Sequence, residues 1–348
     1  MKICIPFRPG DIGGTSIFMR KFVKGLEGRG TEVTTDINDD YDLILVIVDY
    51  GKSYDKTVRE KKRNGVKVVQ RLDGVMTFAT SKFLYPLQNL RMKYVLHNAA
   101  DYVLYQSNYC KFLCDKYLGK PKCPWSVVYN GVNTQQFEPE GERYEHGHKH
   151  VIFSVARFRR KFQLEPMLRA ADYLAADIED TEFVFAGSLT LELEEIWNKY
   201  KERPYIRYLG KVENSKLPFY ERGADVFLFS TLNALCPNAL IEALGCGLPV
   251  AGYTTGSMAE LVGDAGILAR HNKSDLWRFS NPDPVSLAQA ASELLKGNAA
   301  WREKARKRAV ELFSLDRMVD EYIKVFRKVL EETTGKTNEY SKRTIKSI

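Results

Sequence analysis

Residues 151–188, VIFSVARFRRKFQLEPMLRAADYLAADIEDTEFVFAGS, decide how the chain folds. The apolar run at 151–155 predicts a strand, and apolar residues recurring at helical spacing over 164–175 predict a helix. A second strand at 182–185 then closes on Ala186-Gly187-Ser188. Strand, helix and strand in this order make a βαβ unit, whose strands are parallel and whose faces are covered by helices. Downstream the alternation continues, with strands at 206–209, 225–230 and 249–253, helices at 191–200 and 285–295, and one or two long amphipathic helices over 301–330. Upstream, strands at 2–7, 31–35, 43–48, 66–70, 102–106 and 126–129 alternate with helical stretches, including 53–64 and 84–99. The first helix opens after a Gly13-Gly14 turn. Between the two series lies EPEGERYEHGHK, residues 138–149, which has no aliphatic residue and so reads as an exposed linker. The predicted class is therefore α/β, two Rossmann-like doubly wound parallel-sheet domains facing across a cleft. Residues 1–140 form the first, residues 150–313 the second, and 333–348 a basic, flexible tail. Ligands of such sheets bind at the carboxyl ends of the strands.

Composition excludes several classes. Of 348 residues, 44% are hydrophobic and 28% charged, as in an ordinary globular protein. The longest apolar run, 43–48, is too short to cross a bilayer. The N-terminus runs into a strand without a secretion signal, so a cytoplasmic location is expected. Cys4, Cys110, Cys114, Cys123, Cys236 and Cys246 are scattered, which predicts reduced thiols, and no paired motif completes a zinc site around Cys110 and Cys114. His146, His148 and His150 alternate in the linker, without preorganised metal geometry. Asp39-Asp40-Tyr41-Asp42 precedes a strand and reads as a solvated turn, so no metal is expected. The net charge of +8 favours anionic partners: phosphates, acidic lipids or nucleic acid. Nucleic acid ranks last, because no aromatic stacking motif stands beside the basic residues.

The chemistry concentrates in LCPNALIEALGCGLPV, residues 235–250. Pro237 suits the first turn of a helix, leaving the amides of Asn238, Ala239 and Leu240 pointing out of a positive helix end. One turn further in, the Glu242 carboxylate stands where it can accept hydrogen bonds from a sugar or ribose diol beyond a bound phosphate. Phosphate and diol side by side describe a nucleotide; a capped core helix with an exposed Glu fits the same residues. Arg157, Arg159, Arg160 and Lys161 follow a strand end, forming a phosphate clamp or a solvated basic turn. Gly13-Gly14-Thr15 lets backbone approach a ligand closely, although the third glycine of a dinucleotide fingerprint is lacking.

Together, Gly13-Gly14, Asn130-Gly131-Val132-Asn133, the basic turn 157–161, the stretch 242–250 and Gly263-Asp264-Ala265-Gly266 resemble the retaining glycosyltransferases of family 4, which have the two-domain GT-B fold. The match runs in order across nearly the whole chain. The resemblance implies that Glu242 holds the donor's ribose, that Arg157 and Lys161 hold its diphosphate, and that Gly13 and Gly14 pack against the donor. It further implies that Ala239 and Leu240 offer amides to the donor phosphate and that a closing helix, about 314–332, crosses back onto the first domain. There are departures: Ala234 stands where the family's first motif Glu would fall, and Pro237 removes an amide. In place of the family's active-site His, Gln70-Arg71-Leu72-Asp73-Gly74 makes Arg71 and Asp73 the acceptor-pocket candidates, with a surface ion pair at a turn as the alternative.

The function this resemblance implies is metal-independent, cofactor-free transfer of a hexose from a nucleoside diphosphate sugar to a hydroxyl, with retention, in cell-surface glycan or glycolipid synthesis. In this chemistry the departing diphosphate accepts the acceptor's proton, and Arg157, Lys161 and the helix end stabilise its charge. An epimerase of the same fold would turn over donor without acceptor. A silent nucleotide-sugar binding protein, consistent with Ala234, would bind donor and do neither. Lys56, Arg59, Lys61, Lys62 and Arg63, with the basic tail, suit either a solvated helix face or an anionic membrane bearing a lipid-linked acceptor.

Overall fold

The computed structural model describes residues 1–6, 14–47, 54–77, 83–145, 147–271 and 281–344. They form two units: Met1–Tyr129 with Leu315–Ile348, and Asn130–Ser314.

In the first unit, β1 (Lys2–Cys4), β2 (Glu32–Thr34), β3 (Leu43–Ile47), β4 (Lys67–Leu72), β5 (Tyr102–Tyr105) and β6 (Trp125–Val127) make a parallel sheet in the order β2-β1-β3-β4-β5-β6. Every residue of β3 is buried, as a central parallel strand covered on both faces demands. One face carries α1 (Gly14–Glu27) and the last helix, α12 (Leu315–Thr344). Phe18, Met19, Phe22 and Leu26 pack there with Val319, Tyr322 and Phe326, all nearly inaccessible to water. Burying each such side chain contributes about 1.5–3 kcal/mol. A Cβ added to Gly25 of α1 would lie 2.6 Å from Val319 Cγ2, so glycine sets how closely the helices approach. Arg29 extends the contact by pairing with Asp316 at 2.8 Å and Asp320 at 2.5 Å. The other face carries α2 (Tyr54–Arg63) and α3 (Tyr85–Asn98), with Val58, Val95 and Ala99 against Cys4, Ile44 and Val68. Helix α4 (Asn108–Tyr117) is capped by Ser107, which accepts from the Cys110 amide at 3.0 Å.

The second unit repeats the plan with β7 (His150–Phe158), β8 (Thr181–Leu189), β9 (Ile206–Gly210), β10 (Val226–Phe229), β11 (Val250–Tyr253) and β12 (Gly266–Ala269), all parallel, in the order β12-β11-β10-β7-β8-β9. The chain winds outward from β7 to β9 and returns to β10, so the direction of winding reverses between β7 and β10. Its helices are α5 (Lys161–Asp177), α6 (Leu191–Asn198), α7 (Leu217–Arg222), α8 (Asn238–Gly245), α9 (Met258–Val262), α10 (Pro284–Lys296) and α11 (Asn298–Phe313).

Three local readings change. Strands β7 and β8 run past their expected ends, pairing Ala156 with Gly187, Arg157 with Ser188 and Phe158 with Leu189. The Ala186-Gly187-Ser188 turn signal is overridden by that ladder, and Gly187 supplies the positive φ of 118° it requires. Pro237 precedes α8 as its cap residue rather than opening its first turn. The linker is not a free strand of chain either. The Tyr144 ring packs on Phe219 and Tyr220, its amide donates to Phe219 O at 2.9 Å, and Arg222 donates to the Glu138 and Glu142 carbonyls. An aromatic ring thus provides the apolar anchor that aliphatic residues do not. His148 faces Asp180 at 2.9 Å, and His146 lies outside the described residues.

Candidate functional site

The reversal between β7 and β10 places the loops after both strands side by side, the position where doubly wound sheets take ligands. Each loop carries one half of the chemistry.

The segment after β10 leads into α8. Pro237 lacks an N–H and adopts extended backbone, so the helix begins with the amides of Asn238 and Ala239. Four residues on, about 6 Å along the axis, Glu242 is only 5% exposed. That burial removes the reading of a capped core helix with an exposed Glu. A buried carboxylate requires hydrogen-bond partners, and Asn214 Nδ2 donates to Glu242 Oε1 at 3.0 Å. Asn214 sits on a single 3₁₀ turn, Asn214–Lys216, after β9.

Both ends of α8 are braced. At its start, Asn130 Nδ2 donates to Cys236 O and Asn238 Oδ1, each at 2.9 Å. At its end, one guanidinium, Arg306 of α11, donates to the Gly245, Phe137 and Thr134 carbonyls at 2.8–2.9 Å. A cation there also complements the negative end of the helix. Arg306→Ala strands three carbonyls, and we expect it to lower stability by about 2–3 kcal/mol, measured as a fall in denaturant midpoint without change in slope. Lysine at 306 should recover only part of the loss, since an ammonium is a point donor where guanidinium is a fork.

The segment after β7 holds the cations. Gln163 organises it: its Oε1 accepts from the Arg159 and Arg160 amides at 2.9 and 3.1 Å, and its Nε2 donates to Thr231 Oγ1 at 3.2 Å. Ser230 Oγ donates to Gln163 O at 2.6 Å, which stitches the basic turn to the segment running toward α8. Arg157 and Lys161 are exposed, and Lys161 pairs with Glu165 at 3.4 Å. Burial, and then the charges of Arg157 and Arg160, push the Arg159 guanidinium below its usual value. Like charges held this close favour an arriving anion.

Ala234 is buried, and its carbonyl accepts from the Ser257 amide at 2.8 Å and hydroxyl at 3.0 Å. A Cβ on Gly256 would lie 2.4 Å from Ala234 O.

In the first unit, Arg71 is the penultimate residue of β4, 3% exposed, with its guanidinium 3.7 Å from the Phe18 ring centroid and Nε 2.6 Å from Asp73 Oδ1. Arg71 is buried and Asp73 half-buried, so the pair at the carboxyl edge is not the surface ion pair of the alternative reading. Gln106 Nε2 donates to Asp73 O at 2.8 Å and Cys110 Sγ to Leu72 O at 3.2 Å, so the backbone of this turn is pinned. Burial, with Cys114 hydrogen-bonded beside it, pushes the Cys110 thiol up. Gly14 and Thr15 are the first residues of α1, while Gly13 lies outside the described residues. Asp39 accepts from Thr34 Oγ1 within its own turn, and Asp42 accepts from the Lys2 amide of β1.

The residues that brace Glu242 and the basic turn carry no signal in the sequence. Asn214 lies in no motif. Gln163 belongs to a capping box whose first residue is Arg160, outside the usual Ser/Thr pattern. Asn130 was visible as a motif residue without a role.

Over 71 residues the chain is 37% identical to the O-antigen chain mannosyltransferase B of Escherichia coli, which covers 20% of this chain and 19% of that protein. Over 172 residues it is 21% identical to the phosphatidylinositol N-acetylglucosaminyltransferase gpi3 subunit of Schizosaccharomyces pombe, covering 49% and 35%. The chain spans about a fifth to about a third of the length of these curated relatives. The crystal structure of Anabaena HepE in complex with UDP superimposes with a TM-score of 0.72 at 15% identity, covering 94% of this chain and all of that one. The fold is therefore GT-B, two Rossmann-like units each built on a six-stranded parallel sheet. The family model described as Glycosyl transferases group 1 matches residues 149–297, the segment that carries both the basic turn and Glu242. Residues 149–297 form a Glycosyl transferases group 1 domain.

Proposed function

We propose that the chain is a retaining glycosyltransferase of family 4 that moves a hexose from a nucleoside diphosphate sugar to a hydroxyl of a glycan or lipid-linked acceptor. The observation that carries this reading is the buried Glu242 carboxylate one turn inside α8, in the unit that also holds the crowded guanidinium turn. The relatives named above for mannosyl and N-acetylglucosaminyl transfer, and the fold shared with a UDP complex, support the same donor class.

In this mechanism the α8 amides of Asn238, Ala239 and Leu240, with Arg157 and Lys161, hold the diphosphate, and Glu242 holds the ribose. Gly14 and Thr15 approach the donor as backbone. The bond between the anomeric carbon and the phosphate oxygen breaks while the acceptor oxygen bonds the same face of that carbon. The acceptor's proton passes to the departing phosphate. Stabilising that growing charge needs cations and helix dipole, which this chain's own residues supply, so transfer proceeds without metal or cofactor. Arg71 and Asp73 take the acceptor hydroxyls, and the reaction runs on the cytoplasmic side.

The test is a calorimetric screen of UDP-, GDP- and ADP-sugars, followed by the anomeric configuration of any product. One donor should bind, and the product should keep the donor's configuration; no binding of any nucleotide sugar ends the reading. Arg157→Ala should weaken the diphosphate about tenfold and leave the free nucleoside unchanged, with a shallower dependence on salt. Ala234, packed under Ser257, favours a second reading, a silent nucleotide-sugar binding protein. That reading requires donor binding with neither transfer nor hydrolysis.

A further inference from the structure

Helix α3 departs from the rule that a surface helix is apolar on one face. Met92, Val95 and Leu96 face the core. Yet Leu87 and Leu90 are 45% and 63% exposed, and Phe83 and Leu84 just ahead of the helix are 86% and 61% exposed. At spacings of three and four residues, Phe83, Leu87 and Leu90 form one ridge. So large an apolar patch on consecutive turns marks a surface that something covers.

The surroundings identify what covers it. Helix α2 lies alongside, with the Arg59 guanidinium 5.0 Å from the Tyr94 ring centroid. Of the basic run in α2, Lys61 donates to the Asn38 and Asp39 carbonyls and Lys62 to Ala99 O and Asp101, so these two serve the fold. That corrects the expectation that all five cations form one face. Left exposed on α2 and α3 are Lys56, Arg59, Arg63 and Lys93, against a single exposed acid among the described side chains, Glu60. A second copy of the chain would set these cations against their own equivalents across a twofold axis. An anionic bilayer meets both demands, hydrocarbon for the ridge and negative headgroups for its cationic border.

The ridge also adjoins the candidate acceptor turn. Asn89 of α3 accepts from the Met76 amide at 2.9 Å and donates to Met76 O at 2.8 Å, tying the helix to the segment that follows Asp73. We propose that the α3 ridge seats the first unit on an anionic membrane leaflet, where an acceptor with a hydrocarbon anchor meets the Arg71–Asp73 edge. The acceptor part rests on the glycosyltransferase reading; the membrane seat does not.

The experiment is flotation of the full chain with phosphatidylcholine vesicles, with and without phosphatidylglycerol, alongside nucleotide binding and sedimentation velocity. Wild type should float with the anionic vesicles. Leu87→Glu/Leu90→Glu and, separately, Arg63→Glu/Lys93→Glu should each lose about tenfold in partitioning, with unchanged melting temperature and nucleotide affinity. Three results overturn the proposal: wild type that does not float, variants that float equally well, or a dimer that Leu87→Glu/Leu90→Glu dissociates while vesicles stay unbound. Vesicle binding without nucleotide binding would end the transferase reading and leave the membrane seat standing.

Discussion

Glu242→Ala is expected to weaken donor binding about 100-fold, or about 2.7 kcal/mol, while the chain stays folded. The side chain is almost wholly buried, so its carboxylate meets a ligand in a poorly solvated place, where a charge-assisted hydrogen bond counts for more than in water. In the proposed donor site two ribose hydroxyls share this one carboxylate, which sets the size of the expected loss. The variant also deprives Asn214 Nδ2 of this acceptor, a loss that Glu242→Gln avoids, since its amide oxygen can still accept. Calorimetry with nucleoside diphosphate and its 2′-deoxy analogue separates the two effects. Wild type should prefer the ribose form, and both variants should lose that preference. A Glu242→Ala protein that still discriminates ribose would remove Glu242 from the site.

The largest loss of stability is expected at Gly187. Its φ of 118° is one that other residues adopt only under strain, and an added Cβ would lie 1.8 Å from the Ala156 carbonyl oxygen. Since that oxygen belongs to the neighbouring strand, no side chain can swing aside to make room. Gly187→Ala should cost about 3–5 kcal/mol, lowering the melting temperature by about 10 °C or more. Gly210→Ala is the matched control, with a positive φ of 66° and nothing within 4 Å of its Cβ. It should cost only the backbone term, about 1 kcal/mol. Because Ala156 leads directly into Arg157, Gly187→Ala should also weaken diphosphate binding in whatever protein remains folded. Equal losses at 187 and 210 would show that the close approach is not what demands glycine.

The alternation of strands and helices was legible because buried parallel strands are written as short apolar runs, and residues 43–47 and 226–229 are inaccessible along their whole length. Element ends were less so. The Gly187-Ser188 signal looks like a turn, and only the ladder with β7 makes it strand. Glu242 and the basic turn stand out in the sequence because their pattern is local, a carboxylate one helical turn from a helix start and cations clustered after a strand. Asn214, Gln163 and Asn130 do not, because each acts on a partner 28, 68 or 108 residues away. Likewise, Lys61 and Lys62 look like surface charge until the carbonyls of residues 38, 39 and 99 fold over them.

The packing of α12 on α1 sets the order in which the molecule can be finished during synthesis. The second unit is one uninterrupted stretch, Asn130–Ser314, and can close as soon as that stretch has left the ribosome. The unit made first cannot. Phe18, Phe22 and the sheet face formed by Ile3 and Leu45 stay uncovered until Val319, Tyr322 and Phe326 arrive some three hundred residues later. Contacts that distant in sequence form slowly, and the usual N-terminal-first order of domain completion is reversed. A nascent chain stalled after Ser314 would present a finished second unit joined to an adhesive, half-covered sheet, open to water until the helix that follows Ser314 docks.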